Sequence, residues 1–387
     1  MSKLEKLTKL FKEANEKEII VKDIEVFGYQ FNYNYQVLGS VSKYWFGKHE
    51  VTEFIAPLNK DSGNDNRPGT KKASTQYIVV HDTASAAESA NALAHAKYVS
   101  NGGGGTSWHY SSGSDGIYHQ IPDDEIAYHA GDQLIVPFSL TNTNVKGNVK
   151  NPSIDINNGY YYINGEKSSI KAPVVTFEKG EDGLLHYASD GVLQSRKPKE
   201  EVKEHEIYKS ECTSRINEEG IRIDLIGDTY YMGPTYYSSS YECIANRGGN
   251  LNSIGIETMV NKGSDLYLTW HKTAKLVAHL LKDNNLDISR VKPHHFFSGK
   301  DCPMTMRHAG LWKNFLELVK YEYEILMLID NTKIEFICDN DLIDNTGRLI
   351  KLPITDEVIK YSIKVTNEEG TKIIDLETMI KLNNNSK

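Results

Sequence analysis

Two short apolar segments, far apart in the chain, constrain the fold most. YIVVH (residues 77–81) and NSIGIETMV (residues 252–260) have the length and composition of buried strands. An Ala-rich segment, residues 85–99, follows the first and ends at Asn101 and a run of glycines, which is typical of a helix end. Residues 269–284 follow the second and place apolar side chains on one helical face. We therefore predict an α/β fold in which helices pack on a mixed β-sheet.

The flanking composition predicts where this α/β domain begins and ends. Residues 58–74 are polar and rich in Gly, Pro and Asn, so residues 1–73 are predicted to be an N-terminal accessory region with its linker. Within it, residues 3–16 place apolar side chains at helical spacing. Short alternating runs predict a small all-β C-terminal module over residues 321–387, which leaves residues 74–320 for the α/β domain.

The stretch between residues 133 and 250 is too long for a simple loop. It is rich in Tyr and polar residues and contains β-like runs such as GYYYINGEK. Connections of this length usually have structure of their own. We predict a β-rich subdomain, residues 133–250, inserted into the α/β domain. Before it, residues 107–132 predict a hairpin that turns between Gly113 and Gly116.

Charge and apolar patterning exclude two classes of partner. The net charge of −8 comes from mixed acidic and basic residues without a long basic run, so the electrostatic footprint of a nucleic-acid-binding protein is missing. No segment approaches the roughly 18 apolar residues of a membrane span, and the first residues lack the apolar core of a secretory signal. We expect synthesis in the cytoplasm and no insertion into a membrane. The 4 cysteines contain no CxxC pair, which argues against a disulfide scaffold.

Three residues have side chains suited to a metal. His81 ends an apolar strand, and His294 and Cys302 lie on VKPHHFFSGKDCP (residues 291–303), which predicts an irregular loop. Two imidazoles and a thiolate suit a tetrahedral Zn²⁺ that keeps its fourth position for water. Taken alone, a His at a strand end is more often structural, so these residues by themselves leave both interpretations open.

Four motifs, in order along the chain, resemble one family. They are YIVVHDT, SWHY with DGIYHQIPDDEIAYHAGD, NSIGIE and HHFFSGKDCP. They resemble the type-2 N-acetylmuramoyl-L-alanine amidases, the group that contains phage amidase endolysins and peptidoglycan recognition proteins. The resemblance covers residues 74–132 and 246–320 and implies the mixed sheet with flanking helices of that family. Four separate motifs in one order are hard to obtain by chance.

The resemblance implies a zinc site. His81, His294 and Cys302 match the zinc ligands of the family, and His294 is preferred to His295 because of its spacing to Cys302. Zinc is the only cofactor implied. Relatives often carry an acidic residue two positions after the ligand that corresponds to His294, and this chain has Phe296 there. A carboxylate that orients a ligand must therefore come from elsewhere or be absent.

The same resemblance implies roles for residues around the metal. Glu257 matches the carboxylate that transfers a proton from the attacking water to the leaving nitrogen, and Lys300 matches the lysine that stabilises the oxyanion. Without the neighbouring motifs, both would be interpreted as surface charges. Trp108, His109 and His129 are predicted to contact the glycan or the stem peptide, and a structural role is equally open for His109.

These features together predict a hydrolase that cuts the bond between the N-acetylmuramoyl lactyl group and L-alanine in bacterial peptidoglycan. We expect a phage lysin acting on the cell wall, either released through a holin or carried on the virion tail, where phage tail proteins would be partners. Two alternatives stay open: a structural tail or baseplate protein that carries an amidase domain, and a module that binds peptidoglycan without cutting it. Non-catalytic relatives typically lose the Cys ligand, and Cys302 is present here, which favours an enzyme.

Overall fold

The computed structural model shows the chain as two compact units. One unit comprises Met1–Ala130 with Gly249–Lys387, and the other comprises Gly131–Gly248. The structure describes residues 1–28, 31–135, 141–149, 152–171, 175–179, 185–189, 192–193, 221–234, 237–240, 249–298 and 300–382.

The first part of the larger unit contains short helices and strands. Its helices are α1 (Lys3–Ala14), α2 (Asn59–Ser62) and α3 (Ala92–Asn101). Its strands are β1 (Glu18–Ile20), β2 (Lys22–Val26), β3 (Tyr33–Val37), β4 (Thr52–Glu53), β5 (Tyr77–Asp82), β6 (Tyr110–Gly113) and β7 (Gly116–His119).

The described elements of the smaller unit are all strands, in agreement with the predicted β-rich insertion. They are β8 (Asp132–Ile135), β9 (Thr141–Lys146), β10 (Ile154–Asn157), β11 (Tyr160–Ile163), β12 (Glu166–Lys171), β13 (Val175–Lys179), β14 (Leu185–Ser189), β15 (Val192–Leu193), β16 (Ile221–Ile226), β17 (Thr229–Pro234) and β18 (Tyr237–Ser240). They pair antiparallel in the orders β10-β11-β12, β13-β14-β15, β16-β17-β9 and β18-β8. Val145, Ile163, Ile223 and Tyr230 form a buried cluster between these strands.

The last part of the chain returns to the larger unit. Its helices are α4 (Leu266–Asp283), α5 (His295–Ser298), α6 (Met304–His308) and α7 (Trp312–Leu326), with a 3₁₀ turn at Ile288–Arg290. Its strands are β19 (Ser253–Thr258), β20 (Val291–Pro293), β21 (Lys333–Ile337), β22 (Glu357–Asn367) and β23 (Gly370–Lys381).

The larger unit is built on a six-stranded mixed sheet with the order β20-β5-β19-β6-β7-β4. Strand β5 runs parallel to β19 and β20, and β6 and β7 form the predicted antiparallel hairpin. Every residue of β5 and β19 is buried, because apolar clusters cover both faces of the sheet. This burial on both sides explains why their sequences are short continuous apolar runs. The predicted mixed α/β fold is confirmed.

The two faces of these central strands carry different side chains. Ile78 and Val80 of β5 and Ile254 of β19 pack with α4 and α7 in the main core. Strand side chains alternate between faces, so the intervening positions, which include His81 and Glu257, belong to the opposite face. One face therefore stabilises the domain while the other presents polar groups.

A second sheet joins segments from the predicted N-terminal and C-terminal regions. Its order is β1-β23-β22-β21, and β1 lies parallel to β23. Helix α1 contributes Leu7 and Phe11, which pack with Ile363 of β22. The sequence suggests two separate modules, one near each end of the chain. The structure joins their strands in one sheet, through pairing between distant segments that no local sequence pattern indicates. The boundaries at residues 73 and 320 stay predictions.

The predicted linker, residues 58–74, is partly buried and hydrogen-bonded. The side-chain amide of Asn64 donates to the carbonyl oxygen of Val99 near the end of α3, at 3.1 Å. Arg67 forms a bidentate ion pair with Glu125, with N···O distances of 2.8 and 2.9 Å. The polar composition that suggested a linker therefore has a structural cause, since these side chains anchor the segment to the α/β domain.

Two further predictions are wrong in detail. Helix α3 begins at Ala92, well after residue 85, because the side chain of Asn91 caps it by accepting a hydrogen bond from the N–H of Ala94 at 2.9 Å. The predicted irregular loop, residues 291–303, contains strand β20 and the short helix α5. Because β20 pairs with β5, this segment is fixed to the edge of the central sheet.

The sequence also argues against a disulfide scaffold and against a membrane span. Cys302 and Cys338 are free thiols, and Cys212 and Cys243 lie outside the described residues. Within the described ranges, no helix combines the length and apolar character needed to cross a membrane.

A buried ion pair connects α4 to α7. Lys275 Nζ lies 2.9 Å from Glu322 Oε2, with side-chain exposures of 8% and 2%. The other carboxylate oxygen accepts a hydrogen bond from the backbone N–H of Trp45 at 3.0 Å. We expect Glu322→Gln to lower the free energy of unfolding by about 3–5 kcal/mol, because it leaves a buried ammonium without its counter-charge.

Urea denaturation measures this loss. The exposed pair of Lys9 and Glu13, 3.6 Å apart on α1, provides the control, and Glu13→Gln should change the free energy by about 0.5 kcal/mol or less. Equal effects of the two substitutions would show that the buried pair does not stabilise the fold.

Candidate active site

Three parallel strands end at the same edge of the central sheet. Strand β5 carries His81 and β19 carries Glu257 near their carboxyl ends, and His294 directly follows β20. In the ladder, Glu257 is the partner of His81. Sheets of this kind present ligand-binding side chains beyond the carboxyl ends of their strands. The topology therefore brings together residues that are far apart in the sequence.

The three predicted metal ligands form one buried cluster. The ligand atoms of His81, His294 and Cys302 all lie within 4.8 Å of one another. His81 Nδ1 lies 3.6 Å from Cys302 Sγ, and the ring centroids of the two histidines are 4.8 Å apart. Ordinary Zn–N and Zn–S bonds at a tetrahedral angle place nitrogen and sulfur about 3.6 Å apart. The nitrogen-to-sulfur distance therefore suits a shared metal ion.

The environment of this cluster favours a cation. His294 Nδ1 is buried and has no hydrogen-bond partner among the described residues. Burial, with Lys300 nearby, lowers the pKa of His294 to about 3, so the ring is a neutral donor. Burial, with the carboxyl groups of Asp82 and Glu257 nearby, raises the pKa of the Cys302 thiol well above its ordinary value. A thiolate at this position needs an adjacent cation, and the donor set fits Zn²⁺.

Asp82 fixes the segment that carries the thiol. Its Oδ2 accepts a hydrogen bond from the backbone N–H of Thr305 at 2.7 Å, and the N–H of His295 donates to the carbonyl oxygen of Cys302 at 3.0 Å. The side chain of His295 is exposed. Asp82 was missed from the sequence, although it stands next to His81 in the YIVVHDT motif.

Two of the three donors, His81 and Cys302, line a pocket of about 360 Å³, which Glu257 and Lys300 also line. Glu257 is 9% exposed. Burial raises its pKa to about 8, Asp82 adds to the rise, and Lys300 opposes it. A carboxyl group whose pKa lies near neutrality can accept and return a proton at neutral pH. The pocket thus places a proton-transfer group and an ammonium beside the metal donors.

Aromatic side chains form another part of the pocket wall. Trp108, Tyr98 and Tyr128 line it. The rings of Trp108 and Tyr98 stack with centroids 5.9 Å apart and an interplanar angle of 8°, and Trp108 Nε1 donates to Ser111 Oγ at 2.8 Å. Fixed aromatic faces of this kind can stack on the apolar face of a sugar. Tyr98 was missed because it lies in an Ala-rich helix outside every motif.

His129 lines the pocket, but its ring nitrogens face protein atoms. Its Nδ1 lies 2.9 Å from His81 Nε2, and its Nε2 lies 3.3 Å from Ser253 Oγ. The ring rests above Gly255, where a Cβ atom would come within 2.6 Å of it. Ser253 and Gly255 were missed from the sequence, although both belong to the NSIGIE motif.

The predicted substrate contact of His109 needs correction. Its ring is fully buried and does not line the pocket. Its Nδ1 accepts a hydrogen bond from the N–H of Gly255 at 3.0 Å, and its Nε2 lies 3.0 Å from the carbonyl oxygen of Glu125. The side chain therefore braces β19 against the segment that follows β7, which is the structural alternative left open from the sequence.

Comparisons with known proteins identify the family. A family model described as N-acetylmuramoyl-L-alanine amidase matches residues 71–305, which is more than half of the chain. Among curated proteins of Bacillus subtilis (strain 168), N-acetylmuramoyl-L-alanine amidase CwlH is 43% identical over 93 residues, or 24% of this chain. N-acetylmuramoyl-L-alanine amidase XlyA is 44% identical over 70 residues, or 18% of this chain.

The shared segments are short relative to these proteins. They span 33% of CwlH and 23% of XlyA, so the match covers about a third of these relatives or less. A solved structure of the catalytic domain of XlyA aligns with 20% identity and a TM-score of 0.38, covering 70% of this chain and 99% of that domain. On the match of residues 71–305 to the family model, this chain belongs to the N-acetylmuramoyl-L-alanine amidase family.

Proposed function

We propose that this protein is a zinc-dependent amidase that hydrolyses the bond between the N-acetylmuramoyl lactyl group and L-alanine in bacterial peptidoglycan. One observation carries the proposal: His81, His294 and Cys302 form one buried cluster, and two of its members, His81 and Cys302, line the same pocket as Glu257. Membership in the amidase family supports the choice of substrate.

The metal would be held by the two imidazoles and the thiolate of this cluster. A Zn²⁺ bound by three protein ligands keeps a position for water, lowers the pKa of that water and polarises the scissile carbonyl. The neutral state of His294 and the unpartnered position of its Nδ1 among the described residues support this assignment.

Glu257 and Lys300 would perform the proton and charge chemistry. The Glu257 carboxylate takes the proton from the attacking water and delivers it to the nitrogen of the departing L-alanine. The Lys300 ammonium lies at the pocket and stabilises negative charge that develops on the carbonyl oxygen. Since Glu257 is buried beside the donor cluster, it can act on atoms held there without competition from bulk water.

The aromatic wall would orient the glycan. The stacked pair of Trp108 and Tyr98 lines the pocket, and Tyr128 adds a third ring. Aromatic faces bury the apolar side of a sugar ring while its hydroxyl groups stay solvated. Trp108 is the predicted substrate-binding residue that this arrangement supports best.

The setting is part of the same proposal. We infer a phage lysin that acts on the cell wall, on the strength of the resemblance to phage amidase endolysins. Detection of the chain in purified virions would favour a tail-borne lysin with tail proteins as partners, whereas its presence only in lysates would favour release through a holin. The retained Cys302 and the buried Glu257 argue against a module that only binds peptidoglycan.

Digestion of purified peptidoglycan tests the activity. We expect mass spectrometry to show stem peptides with new N-terminal L-alanine and glycan strands with free lactyl carboxyl groups. The appearance of new reducing sugar ends would indicate a glycosidase, and the absence of any cleavage would favour the binding module.

A further inference from the structure

One face of β19 carries three residues that lie against the candidate pocket or against His129. Ser253, Gly255 and Glu257 alternate along the strand and therefore share a face. Glu257 reaches the pocket, while Ser253 and Gly255 both contact the ring of His129. The hydrogen-bond donors and acceptors that connect Ser253, His129 and His81 can be assigned in turn, beginning at Ser253.

The hydroxyl of Ser253 has one proton, and its direction is fixed. Ser253 Oγ lies 2.6 Å from the carbonyl oxygen of Gly249, which can only accept. The hydroxyl therefore donates to Gly249, and its lone pairs face His129 Nε2 at 3.3 Å. For this second contact to be a hydrogen bond, His129 must carry a proton on Nε2.

The position of the proton on His129 then determines which nitrogen of His81 carries a proton. A neutral imidazole with a proton on Nε2 has an acceptor at Nδ1. His129 Nδ1 lies 2.9 Å from His81 Nε2, so His81 is the donor in this bond. With its proton on Nε2, His81 has an unprotonated Nδ1, the atom that lies 3.6 Å from Cys302 Sγ.

We propose that His129 and Ser253 are positioning residues that hold His81 in the tautomer whose Nδ1 can bind zinc. The relay runs from His81 to His129, to Ser253 and to the backbone carbonyl of Gly249, and this inference rests on the proposed metal centre. Ligand histidines commonly donate their second N–H to a carboxylate or a carbonyl. Here the imidazole of His129 performs that function.

Gly255 provides the space for this relay. A Cβ atom at this position would lie 2.6 Å from Cγ and 2.7 Å from Nδ1 of His129. The hydrogen bonds between the backbone of Gly255 and His109, the residue before β6, would survive an added methyl group. The steric clash therefore falls on the ring of His129. Gly255→Ala should therefore shift the ring and disturb the relay without removing any of its polar groups.

Zinc affinity, measured by competition with a chromophoric chelator at neutral pH, tests the relay. We expect Ser253→Ala and His129→Phe to weaken zinc binding by about 10- to 100-fold, as loss of the partner of a ligand histidine typically does. Ser264→Ala is the matched control, because its buried hydroxyl also donates to a backbone carbonyl, that of Asn261, at 2.8 Å. It should leave the affinity unchanged. If His129→Phe fails to fold, Ser253→Ala alone carries the test.

A second readout reports the tautomer directly. In the zinc-free wild type, ¹⁵N NMR of the histidine rings should show the His81 proton on Nε2, and Ser253→Ala should give a mixture of tautomers. A His81 proton on Nδ1, or equal zinc affinity of wild type and both variants, would overturn the relay and leave the amidase proposal standing. A wild type that binds no zinc would overturn both.

Discussion

We expect Glu257→Gln to reduce the rate of peptidoglycan hydrolysis by about 10²- to 10⁴-fold, the range associated with loss of general acid–base catalysis. Gln keeps the size and reach of the side chain but cannot take up the proton. Zinc content should stay at the wild-type level, because Glu257 is not one of the three donor residues. The melting temperature should not fall, since a buried carboxyl group is exchanged for a neutral amide.

The rate is measured as release of new L-alanine amino groups from purified peptidoglycan, together with zinc content and melting temperature. Glu53→Gln is the matched control, because Glu53 lies on β4 of the same sheet but its side chain is 67% exposed. Its activity should equal that of the wild type. A zinc-loaded Glu257→Gln variant that hydrolyses peptidoglycan at nearly the wild-type rate would mean that another residue transfers the proton.

Removal of zinc by a chelator should abolish hydrolysis and lower the melting temperature, and added Zn²⁺ should restore both. The donors come from three separate segments, β5, the residue after β20 and the segment before α6, so the metal ties these segments together. A ligand that binds only the folded state stabilises it by about 4 kcal/mol at a thousand times its Kd. Full activity in demonstrably metal-free protein would rule out the zinc assignment.

Cys302→Ser should separate metal binding from catalysis. It replaces the thiolate with a weaker donor, so zinc affinity falls first and activity falls as a consequence. Excess zinc should then recover part of the activity, whereas it should not help Glu257→Gln. Cys338→Ser is the control, because Cys338 is the other free thiol in the described part of the chain and lies outside the pocket. Zinc binding by Cys302→Ser with the wild-type affinity would exclude the thiolate as a ligand.

The central fold was accessible from the sequence because its signals are local. Strands β5 and β19 are continuous apolar runs, and helix α4 has one apolar face, so each element follows from its own residues. The hairpin of β6 and β7 turns at Gly113 and Gly116 as expected. Pairing is different, because the parallel register that sets Glu257 opposite His81 depends on a contact between distant segments.

Other features escaped because their signals are ambiguous. The side chains of Asn64 and Arg67 make structural hydrogen bonds that the composition of a linker also resembles. The start of α3 depended on recognising Asn91 as a capping residue.

The residues of the candidate site also differ in how clearly the sequence indicates them. The three candidate metal ligands and Glu257 were predicted from motif resemblance, and the structure places the three candidate ligands in one cluster. The supporting residues Asp82, Ser253 and Gly255 are ordinary residue types whose functions appear only from their neighbours in space.

The parallel pairing of β1 with β23 has a consequence for chimeras made with other members of the family. Strand β23 lies between β1 and β22, so the segments at residues 18–20 and 357–381 complete one sheet although the candidate active-site residues lie between them in the sequence. A single crossover that exchanges only the later segment would give β1 a foreign neighbour. Chimeras should therefore exchange both segments together, or exchange only the region between them that contains the candidate active site.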